Sequence, residues 1–503
     1  MPLWPNFVGQ AYFTQSASIA ADNCINIFLE TTRNAADPKR ATFYGTPGQL
    51  SQGVQLPAVN CRGLFSQDGR VFGVAGGSFF EWAWPATTTT NVHPVANDGL
   101  LVTFASNGQG GNQLAVCSAN TLYIFNLATA VWTTVTLSFV PVMVGYMDGY
   151  FLANEKNTPK MWFSNLMNGL TWSATDFFTR SSTSDNLVGF AVNNRRIWAL
   201  GSKTTELFQD SGDATTPFIP IPGSVMNEGT NSYQSITTIA DTVFWVGSTK
   251  EFGHAQIFAG AGLQPRVIST PPISYAISAS TNIAEAEALS YTQRGHVFIC
   301  WTWPSLNGGR GQTWCYDLTE EAWHQRATWA AAGGDFQYLR WSARASCAFA
   351  NPASGLLAAP LVGQVDSFWL CTLSLDTYTD QLPGTPSTTQ PIIRLRTAPY
   401  LSAENQWFFL QQIELGIEAS LGGLTAPNVM LRLNPNNGAS ASWTPFMPAA
   451  IGLQVDGQAV AQWFQLGRAR ADRLVLQIVQ NNAAPCVWGP GLYLRASPGT
   501  GQL

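Results

Sequence analysis

The sequence predicts an all-β protein, a propeller-like body followed by a β-sandwich-like domain, on three observations. Charged residues make up only 11% of the 503 residues, while aromatics reach 12% with 19 tryptophans. Thr, Val, Phe, Trp and Tyr favour pleated, half-buried surfaces, and the 45 glycines and 29 prolines punctuate them. Short aromatic strands recur through the middle of the chain, each followed by an Asp-Gly, Asn-Asn or Gly-Gly turn.

Residues 1–50 read as an extended N-terminal arm. Asn23–Glu30 (NCINIFLE) has loose apolar spacing and suggests a strand, and Thr31–Lys39 a polar loop. Thr42–Tyr44 begins another strand, which breaks at Gly45 and at Pro47–Gly48. Pro fixes φ and Gly is free to take φ > 0, so this pair reads as a tight turn leading into the body.

Residues 51–380 form the repetitive body. Phe65–Trp84 reads strand, Asp68–Gly69 turn, strand, Gly76–Gly77 turn, strand. The idea returns in Asn112–Leu137, in Val144–Trp162 around Met147–Asp148–Gly149, and in Val188–Phe208 around Asn193–Asn194–Arg195. It returns again in Ile236–Phe258, Ala288–Trp323 and Tyr338–Leu373. Units of roughly 40–55 residues match the four-stranded blades of a β-propeller, about six or seven in number. Packed sandwiches are the competing architecture. Propellers close when a strand from one end of the chain completes the blade built by the other. Ala41–Tyr44 is therefore expected to pair beside Phe368–Leu375, removing two sheet edges.

Residues 381–390, rich in Pro, Thr, Ser and Gly, read as a linker. Beyond it, residues 391–503 carry alternating strands at Ile392–Thr397, Phe408–Ile417, Val429–Leu433, Ala459–Leu466 and Arg473–Val479, a C-terminal β-sandwich-like domain.

A net charge of −5 with scattered arginines and no basic patch argues against a surface that grips nucleic acid. It is compatible with a surface past which DNA slides. Scarce charge also suggests that partner chains cover much of the surface. Met1–Gln10 lacks the basic and apolar regions of a signal peptide. The most apolar window, Phe139–Leu152, is interrupted by Pro141, Gly145, Asp148 and Gly149, so no membrane span is expected.

No residues group into a catalytic, cofactor or metal site, and no enzyme is expected. The eight cysteines (Cys24, Cys61, Cys117, Cys300, Cys315, Cys347, Cys371, Cys486) form no CxxC pair and read as buried free thiols, though Cys300 and Cys315 could face each other across a hairpin. His93, His254, His296 and His324 stand in no metal-ligand spacing and read as turn or packed residues. Asn307–Gly311 (NGGRG) lies between aromatic strands and opens no helix, so it reads as a hairpin loop rather than a phosphate cradle. Asp317, Glu320 and Glu321 read as solvated turn carboxylates. The alternative function is a carbohydrate-binding or glycan-hydrolysing propeller. Ser164–Trp172 and Asn436–Trp443 come near the Asp-box turns of sialidases, but such turns are structural even there.

Both chain ends carry a resemblance. Val8–Gly9, Cys24–Glu30 and Phe43–Gly48 are similar to the opening of the packaged-DNA stabilisation proteins of short-tailed phages. Arg394–Leu401 resembles that family's Arg-rich strand, Phe408–Ile417 its Phe-x-x-x-Glu-Leu strand, and Trp463–Arg473 its Trp-x-x-Leu-Gly signature. Tyr400 replaces the family's His, and Asn436–Asn437 its turn Asp. The resemblance implies a tail hub, or nozzle: a hexameric ring below the head–tail adaptor, assembled in the host cytoplasm and resident in the virion tail. Such a ring closes the DNA channel after packaging, retains the genome and releases it at ejection. Its implied partners are the adaptor, tail spikes or fibres, needle or plug proteins, and DNA passing through the lumen without sequence-specific binding. Lumen and docking residues stay unassigned.

Overall fold

The computed structural model describes residues 4, 7–13, 21–31, 41–251, 253–329, 337–351, 356–385, 387–398, 407–418, 427–436, 442–451, 460–470 and 473–498. The expected Thr31–Lys39 loop beyond its first residue, and the Tyr400–Leu401 end of the Arg-rich strand, lie outside them.

Seven four-stranded antiparallel units follow one another: 61–94, 103–134, 141–179, 187–220, 237–267, 287–329 and 343–374, the last taking its fourth strand from the N-terminal region. Their first strands touch in sequence, and Ala343–Asn351 packs back on Cys61–Gln67, so the ring closes. This is a seven-bladed propeller, which settles the blade number. The first hairpin of several blades turns on two residues of positive φ. These are Asp68–Gly69 (51° and 74°), Asp148–Gly149 (47° and 96°), Arg294–Gly295 (52° and 80°) and Asn194–Arg195 (51° and 55°). That geometry suits the right-handed twist of the strands it joins, and explains why Asp, Asn and Gly recur there. Middle strands such as Gln113–Ser118 are buried throughout, because each sheet is sandwiched between two neighbours. They therefore read as apolar runs rather than alternations.

The strand that closes the propeller is Gly48–Gln55, not Ala41–Tyr44. It runs antiparallel to Trp369–Ser374, with Gln49 opposite Leu373 and Ser51 opposite Cys371. The Pro47–Gly48 turn divides two strands that belong to different sheets. Ala41–Gly45 pairs instead with Ile27–Thr31 and with Val487 and Trp488 near the C-terminus. The closing strand is polar in sequence because Ser51, Gln52 and Gln55 are half-buried or exposed, and its one buried amide is used: Gln49 donates to Ser342 Oγ at 2.9 Å and accepts from the Gln364 amide.

The N-terminal arm is likewise no free extension. Asn26, buried at φ 56°, splits the expected single strand into Ala21–Ile25 and Ile27–Thr31 and sends each half to a different sheet. Its side chain donates to Ala327 O and Ile393 O, both at 2.9 Å, and accepts from Ala327 N at 3.0 Å. Ala21–Ile25 thus joins the outer strand of blade six, Ala322–Trp329, to Arg394–Ala398. The result is one sheet of eleven strands running from blade six into the sandwich. The second sandwich sheet is ordered Ile27–Thr31, Ala41–Gly45, Val487–Pro498, Trp407–Ile417, Val460–Arg470. Both ends of the chain build the sandwich, so the separate C-terminal domain expected from sequence is completed by three strands of the arm. The expected linker holds a hairpin, Thr379–Gln381 pairing Thr389–Pro391.

One helix of two turns, Pro271–Ser278, connects blades five and six and buries Ile273 and Ile277 one turn apart. The sequence reading missed it. Its Pro271–Pro272 start suits the first helical turn, where an N–H has no partner anyway. Among the described residues no helix is long and apolar enough to cross a membrane.

Candidate functional site

The propeller axis is filled by the protein's own chain. Asn97–Val102, between blades one and two, crosses the ring. Leu101 N donates to Gln234 Oε1 at 2.8 Å, and Tyr233 Oη donates to Leu101 O at 3.2 Å, both partners lying between blades four and five. Arg344 of blade seven donates to Gly99 O at 2.7 Å. Arg62 of blade one donates to Leu100 O at 2.7 Å, to Gly76 O and Ala96 O, and to Asp98 Oδ1 at 2.7 Å. Glu287 of blade six receives Arg340 at 2.9 Å and Arg344 Nε at 3.0 Å. Burial pulls the Arg62 pKa down, and the Asp98 carboxylate opposes that shift. Each buried guanidinium is matched by a carboxylate and backbone carbonyls, as buried charge requires.

Below this crossing cavities of about 180 and 260 Å³ lie along the first strands. Hydrogen bonds from blades one and seven and from the segment between blades four and five tie the crossing chain across the axis. A duplex does not pass through this axis.

Above the crossing the same face opens into a funnel of about 820 Å³ between the turns of blades two to four. Leu100, Val142 and Val188 form part of its floor, and Lys156 and Lys203 stand exposed among its lining residues. Asp185 is consumed within the wall. It accepts from Lys203 N at 2.8 Å and Thr204 Oγ1 at 2.7 Å, and faces Arg180 at 3.4 Å. Burial alone would raise its pKa, but these hydrogen bonds and the Arg180 charge hold it at about 2.

His93 stacks on Trp132 with centroids 5.3 Å apart, and His254 is exposed. His296 is more than a packed residue: its Nδ1 meets Asp317 at 2.7 Å, and Nε2 lies 4.0 Å from Glu30 of the sandwich. Nor are the turn carboxylates simply solvated. Asp317 is buried, Glu320 accepts from the Thr31 hydroxyl, and only Glu321 is exposed, 3.1 Å from Arg266. Sequence missed this junction because Glu30 comes to His296 only when the arm folds against blade six. Cys300 and Cys315 do face each other, Sγ to Sγ 2.9 Å, and burial lifts the thiol pKa of Cys61, Cys117, Cys347 and Cys486 to about 12. Trp172 donates to Gly169 O at 2.9 Å and packs on Phe139, a structural role for that sialidase-like turn. Among the described residues no group of His, Cys, Asp and Glu could hold a metal ion.

His324 and His296 shift in opposite directions. Burial, with Arg326 and His296 nearby, lowers His324 to about 3. A hydrogen bond to Asp317 raises His296 against its own desolvation. The unfolded chain protonates both near 6.5. Stability that depends on neutral His324 is therefore present above pH 6.5 and lost as pH falls from there toward 3. Stability from charged His296 is complete below pH 6.5 and lost as pH rises through its raised value. His324→Phe is expected to recover about 2 kcal/mol of the loss between pH 7 and pH 5. His296→Gln is expected to flatten the alkaline side instead. Thermal melts from pH 5 to 8 check both.

Residues 29–367, about two thirds of the chain, match a protein family described as "Bacteriophage P22 Gp10, beta-propeller". No curated protein matches the sequence. Solved structures with which the chain shares low identity include one titled "Crystal Structure of Mitotic Checkpoint Complex" (9% identity, 64% of this chain and 92% of that one, TM-score 0.41). Another is BBS1N in complex with ARL6DN (10% identity, 65% and 97%, TM-score 0.39). A third is BamB from Moraxella catarrhalis (9% identity, 69% and 98%, TM-score 0.33). The family match spans the seven first strands and agrees with the propeller they build: the chain belongs to the P22 Gp10 β-propeller family, the packaged-DNA stabilisation or tail hub proteins of short-tailed phages.

Proposed function

We propose that this phage structural protein acts as a hexameric tail hub, or nozzle, below the head–tail adaptor. In that role it closes the DNA channel after packaging, retains the genome, and docks tail spikes or fibres and a needle or plug. The filled propeller axis carries the reading furthest. If DNA does not traverse a single copy, a channel wide enough for it lies between copies, and the ring supplies the lumen. A ring of identical copies uses heterologous contacts, so two different faces of each copy are covered. The exposed Trp407, Phe409, Val460 and Phe464 on the sandwich suit one such face. Those side chains lie on Trp407–Ile417 and on Val460–Arg470, which ends its sheet.

The test is native mass and electron microscopy of the purified protein, alone and mixed with adaptor rings. Hexamers, free or formed on the adaptor, are expected. A protein that stays monomeric with and without adaptor overturns the proposal.

A further inference from the structure

We propose that the 820 Å³ funnel is a docking site for an extended peptide segment, acidic with apolar anchors, from a partner protein. This goes beyond the ring and does not depend on it, because the site lies within one copy.

Charge sets the sign of the occupant. The funnel lining holds two carboxylates and two lysines. Asp98 is paired with Arg62 at 2.7 Å, and Asp185 faces Arg180 at 3.4 Å, a guanidinium it shares with buried Glu206 at 3.9 Å. Both arginine side chains are buried, at 0% and 1% exposure, so the pairs stay closed. Asp185 has also spent its lone pairs on Thr204 and on the Lys203 backbone. That leaves Lys156 and Lys203, neither with an ion-pair partner among the described residues. The chain has five lysines in all and a net charge of −5. Two of the five stand on successive turns around one concavity, so the lining charges without an ion-pair partner among the described residues are both positive, in an otherwise acidic molecule. A concave, low-dielectric wall focuses that field.

Shape and polarity set the class. Leu100 is 39% exposed at the floor, beside half-buried Val142 and Val188, so apolar surface waits inside a polar rim. Asn120, Asn157 and Asn186 on that rim offer both donors and acceptors to a peptide backbone. The volume falls in the range of about 300–1,000 Å³ typical of ligand pockets. It admits an extended chain, whereas a nucleic-acid duplex would touch only the rim. An apolar side chain would sit on Leu100 and Val142, with flanking carboxylates on Lys156 and Lys203.

The test selects binders from a random dodecapeptide library displayed on RNA tags, using the immobilised full-length protein. A fluorescein-labelled oligonucleotide of mixed sequence serves as the nucleic-acid probe. Acidic–apolar peptides are expected to be enriched, and to bind at least tenfold more weakly to the Lys156→Glu/Lys203→Glu variant at unchanged melting temperature. Both lysines are exposed, so that variant is expected to fold. Leu100→Ser is expected to weaken the same peptides without altering their salt dependence. No enrichment, enrichment of basic or uncharged peptides, binding that survives the double variant, or tighter binding of the oligonucleotide would each overturn the proposal. Native mass of the double variant keeps this outcome separate from any failure of ring assembly.

Discussion

Arg396→Ala is expected to destabilise the sandwich by about 3–5 kcal/mol, the cost of leaving a buried partner charge uncompensated. Arg396 is fully buried and ties both ends of the chain together. It donates to Phe7 O at 2.8 Å and to Asp22 Oδ1 at 2.9 Å, contacts Cys24 Sγ at 3.1 Å, and lies over the Phe43 ring at 5.4 Å. Burial raises the Asp22 pKa, and the Arg396 charge is what opposes that rise. Without the guanidinium the carboxylate is carried to a still higher pKa. A carboxyl with a raised folded pKa is favourable at low pH and unfavourable as pH rises from 3.8 through the folded value. The deficit of the variant should therefore shrink on acidification. A planar fork reaching several partners at once is not reproduced by lysine, so Arg396→Lys is expected to recover little. Asp22→Asn/Arg396→Met removes both charges and is expected to recover most of the loss. Hydrogen exchange in Ala21–Ile25 and Arg394–Ala398 reads the effect locally, which matters because a protein of several units need not unfold in one step. Unchanged protection in the single variant would show that the pair contributes nothing.

Arg396 also marks how far the sequence was legible. The alternation of Arg394–Thr397 reads as a strand, but that both arginines point inward follows only from distant partners, Phe7 and Asp22 of the arm for Arg396 and Ala484 for Arg394. The propeller itself was legible because its signal is local: turn residues with positive φ and apolar runs at regular spacing. Partners far apart in sequence were not. Asn26 looks like an ordinary residue within a strand until Ala327 and Ile393 occupy its amide. Asn97–Val102 carries no local signal of its role. Its use is set by Arg62, Arg344 and Gln234, each on a different part of the ring. Arg62 and Arg344 give no helical or strand signature of function, since an isolated arginine in a strand reads as surface. The funnel is illegible for the same reason. Lys156 and Lys203 become neighbours only through the repeat of the blades.

Gly48→Val is expected to open the propeller, at a cost of about 3 kcal/mol or more, because the overlap is with backbone. A Cβ added at Gly48 would overlap Thr377 O and stand 2.6 Å from Thr379 O. The glycine is needed for close approach: its N–H donates to Thr377 O at 2.9 Å, which seats the first residue of the closing strand. Neither carbonyl belongs to a side chain that can swing away, so the strand or the turn after blade seven must shift. Displacing Gly48–Gln55 would expose the edge of Trp369–Ser374 and uncover Val54 and Leu56, which are 0% and 3% exposed. Two costs then add, lost apolar burial and an unpaired strand edge that invites association. Gly53→Ala on the same strand is the control. Its φ is 69°, and nothing lies within 4 Å of an added Cβ, so only backbone strain of about 1–2 kcal/mol is expected. The check is hydrogen exchange across Leu361–Gly363 and Trp369–Ser374, with light scattering for association. Gly48→Val should lose protection there while the sheet at 187–220 keeps it, and Gly53→Ala should leave both nearly unchanged. Equal protection in the valine variant and the parent would mean that the ring is held shut by the packing of Ala343–Asn351 on Cys61–Gln67 rather than by its closing strand.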